Sequence, residues 1–144
     1  MSLFTQLKNV KYYRRQIIDK QIDERYQEDG VIIPITITSN EITLNERGQL
    51  KASRYQNNTY NYYQWYLKEI CQLQLSHLHQ QKNNCILLAS FDLQSKQNIV
   101  TTSAPFYCGK DCYHAQLMNT KSCITLTWSI SGPRKDLYIN TNYY

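Results

Sequence analysis

Cys108, Cys112 and His114 fall within seven positions, in the stretch YCGKDCYH at 107–114. These residue types could form a metal site, a redox pair or simply a hairpin tip. In one continuous strand the two cysteines would stand roughly 13 Å apart, at about 3.3 Å per residue, too far to share a metal. Gly109-Lys110-Asp111 is itself turn chemistry, and a three-residue loop would set the cysteines opposite one another, within disulfide reach. A zinc site would need further ligands from His114 and Cys123, whose spacing matches no common zinc knuckle. The expected reading is a hairpin tip, with no bound metal.

Three other constellations could carry chemistry. His77-Leu-His79 would place two imidazoles on one face of a strand, a chelating geometry that lacks a third ligand; beside Gln80-Gln81-Lys82 the expected reading is solvated polar positions. Lys11-Tyr-Tyr-Arg-Arg15 combines positive charge with two aromatic rings. It could grip carboxylates, stack on bases, or form the charged outer face of a strand. The run YNYYQWY at 60–66 could line a ligand cavity or pack a core. Asp19, Asp23, Glu24, Glu28 and Asp29 read as a solvated acidic face. The sequence contains no nucleophile elbow, phosphate-binding loop or dinucleotide fingerprint, so a hydrolase or nucleotide enzyme is not expected.

The elements that must position these residues read mostly as β-strands. Residues 2–9 suit a short helix capped by Ser2, with Leu3, Phe4 and Leu7 on one side. Tyr12–Ile22 reads as a strand, 27–30 as a turn, and VIIPITITSN as a strand with an edge or bulge at Pro34. Turns are expected at 45–48, and 57–59 as a loop. Tyr62, Tyr66, Ile70 and Leu73 recur at helical spacing, which predicts a helix over 60–72. The last third then alternates strands and short turns: 85–93, 98–107, 112–118, 123–130 and 136–144. A meander of that length curls into a barrel or half-barrel, because closure removes exposed edges.

With 144 residues, 42% of them hydrophobic and thirteen of them tyrosine, the chain is expected to form a single domain, 1–144, with a real core. Its formal charge of +5 permits an acidic partner without requiring nucleic acid. No apolar run near the start is long enough for a signal peptide or a membrane span. A soluble, intracellular protein of cytoplasm or plastid stroma is therefore expected, with its five cysteines as free thiols, several of them buried.

The N-terminal FTQLKNVKYYRRQ resembles the opening of the S-type phycobilin lyases, lipocalin-like proteins that attach bilins to cysteines of phycobiliproteins. Phe4, Leu7 and Lys11 match, Tyr12 stands for a tryptophan, and Arg14-Arg15-Gln16 loosely echo a Ser-Gln-Arg-Thr strand. SCITLTWSISGPRKDLYINTN resembles that family's last strand pair, with Leu137-Tyr138-Ile139 in place of Ile-Trp-Phe. The family's Trp-x-Gly hairpin and its final arginines are missing. The resemblance implies a lipocalin-like barrel and a bilin as substrate rather than as a bound cofactor. It also implies a phycobiliprotein partner and catalysis mostly by positioning. Arg14 and Arg15 would then hold propionates, with Tyr13, Trp65 and Trp128 as ring contacts. Two alternatives remain open: a non-catalytic subunit or interaction module of an assembly, and a small barrel binding single-stranded nucleic acid.

Overall fold

The computed structural model describes residues 2–69, 71–79, 84–93, 99–102 and 104–144. A five-residue helix, α1 (Leu3–Leu7), precedes eleven strands: β1 (Tyr12–Asp19), β2 (Glu24–Ile37), β3 (Glu41–Ala52), β4 (Tyr55–Lys68), β5 (Gln72–His79), β6 (Asn84–Asp92), β7 (Ile99–Thr101), β8 (Phe106–Cys108), β9 (Asp111–Asn119), β10 (Ile124–Gly132) and β11 (Lys135–Tyr143). All pairings are antiparallel, in the order β6-β5-β4-β3-β2-β1-β11-β10-β9-β7, with β8 added on β9. The first and last strands of the chain pair over seven residues, from Tyr13–Tyr143 to Asp19–Leu137. Among the described residues the two ends of the sheet meet through the bridge Phe91–Thr102, between β6 and the residue after β7. The result is a nearly closed meander barrel, as the spacing of strands and turns predicts.

The helix is as expected: the Ser2 hydroxyl accepts from the Thr5 amide at 3.1 Å, and Phe4 and Leu7 are buried. It seals one end of the barrel. Phe4, Leu7 and Val10 join Ile42, Trp65, Leu73, Phe91, Leu117 and Ile124 in one core, and Gln6 donates to the Thr120 carbonyl in the β9–β10 connection at 2.8 Å. The connections at 20–23, 53–54, 109–110 and 133–134 lie at the other end, which forms the mouth.

Several expectations fail in the middle of the chain. The helix expected over 60–72 is absent from the described residues of that span, 60–69 and 71–72. Residues 55–68 are β4, paired with β3 through Leu44–Tyr63 and Ile42–Trp65. Tyr and Trp at that density also suit a pleated surface, and pairing on both edges of the strand overrides the helical spacing. The turns expected at 27–30, 45–48 and 57–59 are likewise strand interior, and β2, β3 and β4 are 14, 12 and 14 residues long. Their real turns fall at 20–23 and 53–54, so the strand begun at Tyr12 stops at Asp19 rather than Ile22. Pro34 does mark a bulge, between Pro34 and Thr36. The expected strand 98–107 divides into β7 and β8.

Gly30 and Gly48 resemble turn glycines in sequence but lie within strands. They pair with each other across β2 and β3, and Tyr13 pairs with Gly30 from β1. A Cβ on Gly30 would come within 2.6 Å of Tyr13 Cε1, and one on Gly48 would strike the Tyr13 hydroxyl and the Asp29 carbonyl. The two glycines therefore form a slot in the barrel wall in which the Tyr13 ring lies. Gly48→Ala is expected to cost about 1–3 kcal/mol in a urea titration. Lys110→Ala at the exposed hairpin tip is expected to stay within about 0.5 kcal/mol of wild type. Equal midpoints for wild type and Gly48→Ala would remove the slot.

Candidate functional site

Period-two alternation on β1 sends Tyr13, Arg15 and Ile17 inward, and their partners on β11 are Tyr143, Thr141 and Ile139. Arg15 is almost fully buried, and its guanidinium reaches across the interior. Nε donates to Thr141 Oγ1 at 2.8 Å, one terminal nitrogen to both Glu28 oxygens at 3.1 and 3.2 Å, and the other to Glu46 Oε1 at 2.7 Å. Tyr13 and Thr59 donate their hydroxyl protons to Glu28, and Tyr143 donates to Glu46 at 2.7 Å. This belt crosses the barrel above the core that α1 seals.

Burial works against the charge of Arg15, and the carboxylate of Glu46 opposes that effect, holding its pKa above the ordinary arginine value. Burial also raises the pKa of Tyr13, assisted by its hydrogen bond to Glu28. It raises Tyr143, assisted by the charge of Glu46. Tyr63 is pushed up to about 12, by burial first and then by Glu46. Its ring packs on His77 at 5.3 Å, so His77 is not the solvated residue expected. The side chain of His79 lies outside the described residues.

Between the belt and the mouth lies a cavity of about 250 Å³. Arg15, Glu28, Tyr63, Thr141 and Tyr143 form its polar inner end, and Ile17, Leu88, Tyr113, Trp128, Ile130 and Ile139 contribute to walls that are mainly apolar. Tyr113 meets Trp128 edge-on at 6.2 Å, and Phe106 meets Tyr113 in the same way at 5.7 Å. Near the mouth Lys135 pairs with Asp111 at 3.4 Å.

Among the residues singled out from sequence, Arg15 and Trp128 line the cavity. Tyr13 lies behind it, bonded to Glu28. Trp65 is buried in the core against Phe91, and Arg14 is exposed on the outer surface, paired with Asp29 at 2.9 Å. Glu28 and Glu46 do not stand out as site residues in the sequence: Glu28 suits a solvated face and Glu46 a turn, yet they are 4% and 1% exposed. The available signal was an alternation Ile42-x-Leu44-x-Glu46, which puts the glutamate on the core face.

YCGKDCYH is a hairpin, but its turn is two residues, Gly109-Lys110, with Gly109 at φ +63°. Cys108 therefore faces Asp111, and Cys112 faces Tyr107, so neighbouring pairs point to opposite faces and the cysteines do not meet. Cys71, Cys108, Cys112 and Cys123 are free, and none of these four is buried as expected. No helix among the described residues is long and apolar enough to cross a membrane.

Residues 11–144 match the model of a family of unknown function, DUF6314. The chain belongs to that family. No curated protein matches this DUF6314 member. Among solved structures it is similar to a redesigned β-barrel, mFAP1, bound to DFHBI, with 12% identity and a TM-score of 0.47 over 99% of this chain and 100% of the other.

Because Tyr63 holds its proton more tightly folded than unfolded, the unfolded chain ionises first as the pH rises. Its contribution is fully present below the ordinary value of 10.0 and is lost between there and about 12. The loss is on the order of 2–3 kcal/mol for this residue. Denaturant titrations across that window should show wild-type stability falling more steeply than that of Tyr63→Phe; parallel curves would contradict the assignment.

Proposed function

We propose that the barrel binds a small, flat, mostly apolar molecule through its mouth, with the polar belt as the floor of the site. The cavity carries this reading. A space of about 250 Å³ sits next to the usual ligand-pocket range of roughly 300–1,000 Å³ and combines apolar walls with a few convergent polar groups. 2-Methylnaphthalene is a suitable probe, because Trp128 in the wall reports its arrival by fluorescence. Wild type is expected to bind it, and Ile130→Trp, which fills the cavity, to bind at least about tenfold more weakly at unchanged thermal stability. No response in wild type, or the same affinity in both, would end this reading.

A bilin lyase is a narrower form of the same proposal, supported by the resemblance of the N-terminal and C-terminal segments alone. The geometry argues for a different ligand. Arg15 is already committed to Glu28 and Glu46, and Arg14 pairs with Asp29 outside the barrel, so neither stands ready for a propionate. A four-ring bilin would also leave much of its length outside so small a cavity. Phycocyanobilin whose visible spectrum is changed by the protein, and restored by Ile130→Trp, would support the lyase reading.

A second reading, an interaction module, is favoured by the outer surface. Tyr12, Val31, Arg47 and Tyr60 form one row across β1–β4, all exposed at the apolar positions, with Ile33 and Ile35 beside them. Arg47 lies over the Tyr60 ring at 6.0 Å, and aromatic residues with arginine are what protein interfaces enrich.

A further inference from the structure

We infer that the inner end of the cavity selects a ligand with a hydrogen-bond donor, best of all a cationic nitrogen on a flat ring system, and rejects carboxylates. The inference rests on the binding reading above and narrows it to a ligand class. It starts from a charge imbalance. One guanidinium, Arg15, faces two carboxylates, Glu28 and Glu46, and the other hydrogen-bond partners of those carboxylates among the described residues are the neutral hydroxyls of Tyr13, Thr59 and Tyr143. An excess of one negative charge is thus held in a water-poor interior, where charge interactions are far stronger than at the surface.

Two acceptors are positioned to use it. Glu28 lines the cavity, and among the described residues its Oε1 accepts only from Arg15, at 3.2 Å, although a carboxylate oxygen can take two donors. Tyr63 also lines the cavity, and its hydroxyl has no hydrogen-bond partner among the described residues. A ligand N–H directed at the floor would fill the acceptor capacity of both. The rings of Trp128 and Tyr113 on the wall favour a cation in addition. An anionic ligand would meet the opposite situation. Each nitrogen of Arg15 already donates to Thr141, Glu28 or Glu46, so a third carboxylate would arrive beside two others with no unshared cation to receive it.

Three isosteres on one ring system separate the possibilities: 2-naphthamidine, 2-naphthamide and 2-naphthoate, titrated calorimetrically into the full chain beside 2-methylnaphthalene. The expected order is amidine, then amide, then carboxylate, with at least about tenfold between first and last. Glu28→Gln should bring amidine and amide to within about threefold of each other, and Tyr63→Phe should weaken both donors several-fold more than it changes 2-methylnaphthalene binding. Tyr63→Phe serves as the second test should Glu28→Gln fail to fold, since that hydroxyl supports no bond in the belt. If 2-methylnaphthalene binds but 2-naphthoate matches or exceeds the amidine, the charge inference is wrong and the binding reading survives. If the Tyr63→Phe affinities equal those of wild type, the floor does not read the donor and the inference is likewise overturned. If none of the four probes binds, the binding reading itself falls.

Discussion

A guanidinium buried between two carboxylates organises the interior of this barrel. Removing an arginine and two glutamates from water is costly, and their mutual attraction compensates only when the remaining donors and acceptors are also satisfied. Here each guanidinium nitrogen and each carboxylate oxygen has at least one partner: Thr141 takes the third direction of Arg15, while Tyr13, Thr59 and Tyr143 supply protons to the carboxylates. The belt joins β1, β2, β3, β4 and β11, strands that a meander would otherwise hold together only edge to edge. Losing Arg15 alone would leave two carboxylates buried and unpaired, a fault on the order of 3–5 kcal/mol.

That belt also divides the interior into two compartments. Toward α1 the side chains are aliphatic and aromatic and pack into the core. Toward the mouth the inward positions are still apolar but no longer fill the barrel, and the polar groups become a floor. The Tyr13 slot belongs to the same arrangement. Without two glycines facing each other on β2 and β3, the ring could not lie flat enough for its hydroxyl to reach Glu28. A backbone feature of two neighbouring strands thereby supports the charge balance at the centre.

The sequence carried much of the last third. Short alternating runs separated by turn residues specify β9, β10 and β11, because each hairpin is local and its turn is chemically marked. The middle was much less legible. β2, β3 and β4 are long, and their interiors contain Asp-Gly, Arg-Gly and Asn-Asn, all of which resemble turns when only neighbours in sequence are considered. What keeps them extended is pairing on both edges, which is non-local. The same limit hid the site: Arg15 was recognisable as a candidate ligand group, whereas its partners Glu28 and Glu46 lie 13 and 31 residues away and looked like solvent-facing charges.

By itself the sequence determined the class of fold and the capped helix at the start, since propensity and capping act over a few residues. Only the tertiary structure decided which charges are buried together, which glycines admit a ring, and where the interior remains hollow. Those depend on closing the sheet, which pairs the first strand with the last and brings side chains from opposite walls within reach of one another.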